Sequence, residues 1–474
     1  MCIRDREDTF QSLGDDLNPR EPQTAMIFAY IYLSLGLLLL GSTLKVAIPR
    51  LGGRLLSAPL SFAAMVLVLF LPQFLVGGLL ITALSFQMGA LAHPAGVLSL
   101  GLHVACWSVL AGYLVRMHRA YPLLDGEPVR DEAQPFCTGL TDEEREQLKP
   151  GQIFWRPAFT FKIPEMLKVK VTQGVVFREI QGVRLRLDVY CEKREKDDTA
   201  LRPAVIYIHG GGWVSGTRRQ SRFMCHQLAA AGWVVFAISY RFAPRFPLPA
   251  AIEDCKAAVA WIREHGLEYG ADADQLVAIG GSAGGHLTAM LALTPNVLRF
   301  QPGFEQADTR VQGAVVFYGV LDLVGPFEED TNPALGILLE QFVFRSRYRD
   351  NQDLYRACSP GSYLTPDAPP ILLVHGVNDY MVPVRESREL YRKLKEAGAR
   401  TIHLLEIPLG LHAYDVAPSP LEQRTTRIIQ RFMESLRRSA PYSALEEPLP
   451  ALDSSVEQEG RRSLEPPPHA TLLS

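Results

Sequence analysis

Two long uncharged stretches open the chain, and a shorter, strand-like rhythm follows them. No residue from 22 to 44 is charged, and Leu, Ile, Ala and Tyr dominate from 25 onward. About 20 apolar residues suffice to cross the hydrocarbon core of a bilayer as a helix, so this run predicts one span. Lys45, Arg50 and Arg54 then form a basic loop. Residues 55 to 115 again contain no Asp, Glu, Lys or Arg. That stretch is too long for one crossing. Two spans fit it with a break around 87–94, and three shorter ones fit if Pro72 also breaks the helix. With three spans in total, the basic loop and the Arg116/Arg119 flank share one side; with four they do not. The excess of positive charge on cytoplasmic loops therefore favours three spans and a cytoplasmic remainder, in an inner or plasma membrane. The competing reading is a buried helical hairpin, but charge-free runs of this length are membrane signatures.

Beyond residue 170 the apolar runs shorten to strand length. They fall at 175–180, 183–190, 204–208, 234–238, 276–279, 314–318, 371–374 and 402–407. From the third onward they mostly alternate with helical patterns at 221–231, 250–265, 285–293, 385–397 and 421–436. Such alternation predicts an α/β fold, a mostly parallel eight-stranded sheet with helices on both faces. The first two runs are close in sequence and predict an antiparallel pair at one edge.

Five segments follow from this pattern. A polar start covers 1–24, and Met26 is a candidate initiator. A transmembrane helical region covers 25–118, and a connector covers 119–170. In the connector, Thr141 and Glu144 stand at capping-box spacing and predict a short helix. The α/β domain covers 171–438. A Pro-rich acidic tail, 439–474, reads as disordered.

Charge and cysteines narrow the picture. A net charge of -3 argues against a nucleic-acid partner. Cys2, Cys106, Cys137, Cys191, Cys225, Cys255 and Cys358 are scattered, with no zinc-ligand spacing, and read as reduced thiols.

Candidate chemistry sits in the α/β domain. Gly280-Gly281-Ser282-Ala283-Gly284-Gly285 joins a strand to a helix. A serine at so sharp a turn adopts a strained backbone, and flanking glycines remove side chains that would clash there. The helix start offers free amides to developing negative charge. His209-Gly210-Gly211-Gly212-Trp213 follows another strand. Its glycines expose amides able to bind a tetrahedral oxyanion, with the Ala283 amide as a third donor. A serine nucleophile also needs a base and an orienting acid, in the chain order Ser, acid, His. Asp379 lies in the loop after the run at 371–374, and His412 lies before the last helical pattern. Other residues compete less well. His375 is placed to position a loop, His403 begins a strand, His286 packs in a helix, and His209 precedes the serine. Asp415 and Glu406 are close to His412 in sequence.

These motifs resemble the hormone-sensitive-lipase-like branch of bacterial α/β-hydrolase esterases over roughly residues 171–438. Ser239-Tyr240-Arg241-Phe242-Ala243-Pro244 and Pro247-Leu248-Pro249-Ala250-Ala251-Ile252-Glu253-Asp254 add to the resemblance. It implies that Ser282 is the nucleophile, Asp379 the acid and His412 the base, with Gly211, Gly212 and Ala283 as the oxyanion donors. It further implies a carboxylic ester substrate, an acyl-enzyme intermediate, and no metal or organic cofactor. One position departs: the branch usually has Asp before the nucleophile, and this chain has Gly281. The Gly-Gly-Ser-Ala-Gly-Gly-His form looks more like feruloyl-esterase and arylformamidase-like enzymes. Amide or formamide hydrolysis is therefore an alternative, as is a catalytically dead membrane-anchored binding protein, although no triad member is missing. The insertion between Asp322 and Pro360 carries Leu335, Ile337, Leu338, Leu339, Phe342, Val343 and Phe344 ahead of Arg345, Arg347 and Arg349. It is expected to cap an acyl pocket or to pack as an ordinary core helix. Membrane lipid is the expected partner of the N-terminal helices, and small-molecule esters, lipid-derived ones among them, are the expected substrates.

Overall fold

The computed structural model describes residues 22–48, 57–125, 163–194, 197–328 and 333–438. The polar start up to residue 21, Arg50 and Arg54, Cys2 and Cys137, the Thr141/Glu144 pair and the tail from 439 lie outside the described residues. The chain divides into two compact units at Arg119/Ala120.

The first unit is helical. α1 spans Pro22–Ala47, α2 Ser57–Leu69, α3 Leu71–Gln87 and α4 Pro94–Asp125. The expected break around 87–94 is present. The second run is not one straight helix, because α2 and α3 meet at a bend of more than 40°. Pro72 stands in the first turn of α3, where its missing N–H costs nothing but where the ring prevents a continuous helix. Among the described residues, two helices are long and apolar enough to cross a membrane, or three if the bent pair counts as one span. Their apolar side chains face outward: Leu38 is 67% exposed and Leu80 66%. They meet through a small leucine cluster, Leu67, Leu71 and Leu110 with Leu39, Leu75 and Leu114 against it, and through polar and small groups. Ser99 Oγ donates to Tyr32 O at 2.7 Å, and the Tyr32 hydroxyl meets Thr82 Oγ1 at 2.8 Å. Gly78 leaves room for Trp107, whose ring would lie 3.1 Å from a Cβ there. Close approach through small residues, with hydrogen bonds between helices, is how helices associate where apolar burial gives no drive.

The second unit is built on one sheet. Its strands are β1 Val169–Ile180, β2 Val183–Glu192, β3 Arg202–Ile208, β4 Val234–Ile238, β5 Ala271–Gly281, β6 Gly313–Phe317, β7 Ile371–Gly376 and β8 Ile402–Ile407. Their spatial order is β1-β2-β4-β3-β5-β6-β7-β8. β1 pairs antiparallel with β2, and β2 with β4; all the other pairings are parallel. This is the α/β-hydrolase architecture expected from the alternating pattern. β1 starts six residues before the apolar run at 175: Val169–Thr172 already pairs with β2, and a register shift at Gln173-Gly174 separates it from that run.

Five longer helices accompany the sheet: α5 Arg222–Ala230, α6 Ala250–His265, α7 Ala283–Leu293, α8 Arg385–Glu396 and α9 Pro420–Arg438. Every residue of β4, β6 and β7 is buried, so both faces of the sheet are covered. The start of α7 is packed very closely on the strand ends. A Cβ on Gly284 would lie 2.1 Å from the Ile208 carbonyl oxygen at the end of β3. One on Gly285 would lie 2.6 Å from the Phe317 carbonyl oxygen at the end of β6. Only glycine lets this helix sit directly on the strand ends.

One buried acid couples α9 to α5. Glu422 is fully buried and accepts hydrogen bonds from Gln227 Nε2 at 2.7 Å and Thr426 Oγ1 at 3.1 Å. Burial pushes its carboxyl up to about 8, against the pull of those two donors.

Two outcomes follow from this packing. An unfolded Glu releases its proton near pH 4, whereas folded Glu422 keeps it to about pH 8. The native state therefore binds the extra proton, and this term removes stability as pH rises through that window. Glu422→Gln should flatten the fall in Tm between pH 5 and 8; an unchanged slope rejects the assignment. Gly284→Ala should lower Tm by roughly 5–10 °C, since two backbone carbonyls block the new methyl. Gly361→Ala, whose Cβ would meet nothing nearer than 3.8 Å, is the control and should leave Tm unchanged.

Candidate active site

β5 ends at Gly281 and α7 begins at Ala283, so Ser282 occupies the turn between them. Its backbone takes φ 59° and ψ −121°, a conformation that disfavours an L side chain. Such a residue costs about 1–3 kcal/mol and persists only when its surroundings fix it. Here they do: Ser282 N donates to Phe317 O at 3.0 Å, and His286 N donates to Ser282 O at 2.9 Å. The hydroxyl is thereby held above the carboxyl ends of the parallel strands.

The structure brings the three predicted side chains together. His412 Nε2 lies 2.9 Å from Ser282 Oγ, and His412 Nδ1 lies 2.7 Å from Asp379 Oδ2. Asp379 and His412 are buried, 5% and 6% exposed. The Asp379 loop is itself fastened, since Oδ1 accepts from the amides of Met381 and Val382, each at 2.9 Å. Burial alone would raise the Asp379 carboxyl, but His412 and His375 hold it well below the ordinary carboxylate range. A carboxylate accepting from Nδ1–H leaves Nε2 with a free lone pair facing the serine hydroxyl.

The glycine loop lies against this turn. A Cβ on Gly210 would come within 2.8 Å of Gly281 O and 3.3 Å of Ser282 Cβ. Gly211 and Gly212 have φ of 123° and 61°. Among the described residues, no hydrogen bond to a protein acceptor ties up the amides of Gly211, Gly212 or Ala283. Three donors thus remain available beside Ser282.

The two further motifs of the sequence brace that loop. The Tyr240 hydroxyl donates to His209 O at 3.1 Å, and its ring stacks on His209 at 4.5 Å. Ala243 N donates to Trp213 O at 3.0 Å. Arg241 is anchored through Nε to Asp254 Oδ2 at 2.7 Å and through Nη2 to Glu253 Oε2 at 2.9 Å. Trp213 Nε1 donates to His286 Nδ1 at 3.1 Å, and His286 Nε2 then donates to Cys358 O at 2.7 Å. His286 is therefore a neutral link between the glycine loop and α7, with burial pushing it down to about 4.

The competing residues have other partners. His375 Nε2 donates to Val382 O at 2.8 Å and lies 3.5 Å from Asp379, so it shapes the acid loop. His209 donates from Nδ1 to Gly210 O at 2.8 Å, and burial pushes it down to about 4. Glu406 pairs with Arg388 at 2.6 Å, and Asp415 accepts from the Tyr318 hydroxyl. Sequence reasoning did not single out Tyr318, whose ring lies 4.7 Å from that of His412. Gly281 was the available signal, because a Cβ there would collide with Tyr318 Oη at 2.8 Å.

The insertion packs into the core and also approaches the glycine loop. Leu339, Val343 and Phe344 are buried in the core, and Val343 O accepts from Leu248 N at 3.0 Å. Leu338 turns toward the glycine loop, with Cδ2 3.6 Å from where a Gly212 Cβ would sit. Among the described residues, no group of three or more His, Cys, Asp or Glu side chains could hold a metal ion.

Comparison with known proteins places this geometry in a family. The family model BD-FAE matches residues 187–394. "Probable carboxylic ester hydrolase LipM" of Mycobacterium tuberculosis is 34% identical over 382 residues, which cover 78% of this chain and 86% of that protein. "Esterase LipQ" of the same organism is 41% identical over 232 residues, 49% of this chain and 55% of its own length. A butyrate-bound structure of the Thermogutta terrifontis esterase Est2 is similar at 27% identity and a TM-score of 0.48, covering 59% of this chain and 98% of that one. The chain belongs to the α/β-hydrolase superfamily, in its hormone-sensitive-lipase-like group, and is a carboxylic ester hydrolase.

Proposed function

We propose that Ser282, His412 and Asp379 form a nucleophile–base–acid triad that cleaves small carboxylic esters through an acyl-enzyme, in a protein held at a membrane by α1 to α4. The observation that carries this reading is the unbroken hydrogen-bond line from Asp379 through His412 to a serine at φ 59°.

The chemistry proceeds in two halves. His412 Nε2 takes the Ser282 hydroxyl proton as Oγ bonds to the ester carbonyl carbon. The carbonyl oxygen becomes an oxyanion and accepts hydrogen bonds from the amides of Gly211, Gly212 and Ala283. Collapse breaks the bond to the alkoxy oxygen, which leaves as an alcohol with the proton from Nε2. Water then attacks the acyl carbon while Nε2 takes its proton. The second collapse expels Ser282 Oγ, which recovers that proton as the acid departs. Asp379 keeps the imidazole in one tautomer and stabilises its cation in both halves.

Leu338 beside Gly212 offers an apolar wall where the acyl group would lie. The outward apolar faces of α1, α3 and α4 suit lipid contact and count against a hairpin buried in a soluble protein. An enzyme held at a bilayer meets lipophilic esters at raised local concentration, so lipid-derived esters are the substrate class favoured here. Basic residues beside α1 and α4 favour a cytoplasmic α/β domain under the positive-inside bias.

Nitrophenyl esters of rising acyl length, with an anilide control, test the reaction on full-length protein in detergent. Ser282→Ala should lower turnover on the order of 10⁶-fold and Asp379→Asn about 10⁴-fold. Retained ester turnover in Ser282→Ala rejects the triad, and a preference for the anilide moves the assignment to amides. A reporter fused after residue 438 should read as cytoplasmic; a readout from the opposite side rejects three spans.

A further inference from the structure

Tyr318 stands where the two ends of the site meet. It follows β6 directly, and its amide donates to Val374 O at 2.8 Å, beside the strand that carries Asp379. One part of its side chain occupies the space next to Gly281, where a Cβ would lie 2.8 Å from Oη and 3.0 Å from Cε2. Its ring also lies 4.7 Å from the His412 ring, tilted by 57°. A single side chain therefore touches both the residue before the nucleophile and the imidazole.

What holds Tyr318 is Asp415, three residues beyond His412. The Tyr318 hydroxyl donates to Asp415 Oδ1. Asp415 is 1% exposed, and its Oδ2 has no hydrogen-bond partner among the described residues. The titratable groups that act on it are His412 and Tyr414 from its own loop, Tyr318 from the end of β6, Tyr207 from β3 and Glu422 from α9. Among these, only His412 can become a cation. Burial pushes the Asp415 carboxyl up to about 6, and the Tyr318 hydroxyl pulls it back.

We propose that Tyr318 and Asp415 are a positioning pair for His412: the ring fills the space left by Gly281 and braces the imidazole against the nucleophile turn, while Asp415 fixes the ring and offers the imidazolium a second buried carboxylate. The proposal rests on the triad reading above. Asp379 fixes where Nδ1 points, and Tyr318 restrains the ring from the side, so that Nε2 stays aligned with Ser282 Oγ as charge develops. The same contact accounts for glycine at 281, since a side chain there and the Tyr318 ring exclude each other.

Full-length wild type, Tyr318→Phe, Asp415→Asn and the double variant are compared in detergent on a short nitrophenyl ester, with Ser282→Ala as the blank. kcat, KM and the pH profile of kcat/KM are measured well below each variant's Tm. Each single variant should lose on the order of tenfold in kcat with KM little changed. The acidic limb of kcat/KM should move to lower pH in both. Asp415→Asn removes the carboxylate that favours the imidazolium, and Tyr318→Phe lets that carboxyl keep its proton to higher pH. The double variant should be no worse than the poorer single one, because the two residues act as a unit. Unchanged kcat and an unmoved limb, whatever the change in Tm, overturn the pair, as do losses that multiply in the double variant. If wild type is no faster than Ser282→Ala, the triad reading itself fails and the pair falls with it.

Discussion

The start of α7 rests directly on the carboxyl ends of β3 and β6, and the rest of the site depends on that contact. Gly284 and Gly285 have no side chains, so the helix can approach the carbonyls of Ile208 and Phe317 to distances no Cβ would allow. The approach forces a turn too sharp for an ordinary residue, and Ser282 absorbs it with a positive φ. It also brings the glycine loop after β3 beside the serine, because Gly210 meets Gly281 and Ser282 across the same gap. A strained residue fixed by hydrogen bonds on both sides is preorganised, so little reorganisation is left for the moment of reaction.

A second level of structure keeps that arrangement from relaxing. Trp213, His286 and Cys358 link the glycine loop to α7 and onward to the end of the insertion. Arg241, Glu253 and Asp254 tie the Tyr240 segment to α6, and Tyr240 supports His209 from below. Most of these groups are buried and polar, and their value lies in being mutually satisfied. The motifs at 239–244 and 247–254 are therefore a scaffold for the glycine loop beside Ser282.

Much of this was legible in the sequence, for physical reasons that differ from one element to the next. The eight strands were readable because buried parallel strands are continuous apolar runs, as in β4 and β6. Ser282, Asp379 and His412 were readable because the fold presents strand ends in a fixed order, so position in the chain implies position in the site. The first half of β1 was not read as strand, since Gln173 and Gly174 at the bulge separate its short Val-Lys-Val-Thr alternation from the run at 175. Nor could the sequence decide whether Pro72 breaks the second run, because proline is compatible with both a first turn and a kink. Tyr318 and Asp415 lie 97 residues apart, and only the folded chain reveals that they meet. Glycine at 281 marked the place without naming the side chain that fills it.

The central claim is that Ser282 is the one hydroxyl activated for covalent catalysis. Reaction of the full-length protein with a fluorophosphonate, followed by proteolysis and mass spectrometry, tests it without assuming a substrate. The account predicts a single stoichiometric adduct on the peptide that contains Ser282, abolished by Ser282→Ala. An adduct on another residue, or none on a folded protein, contradicts it.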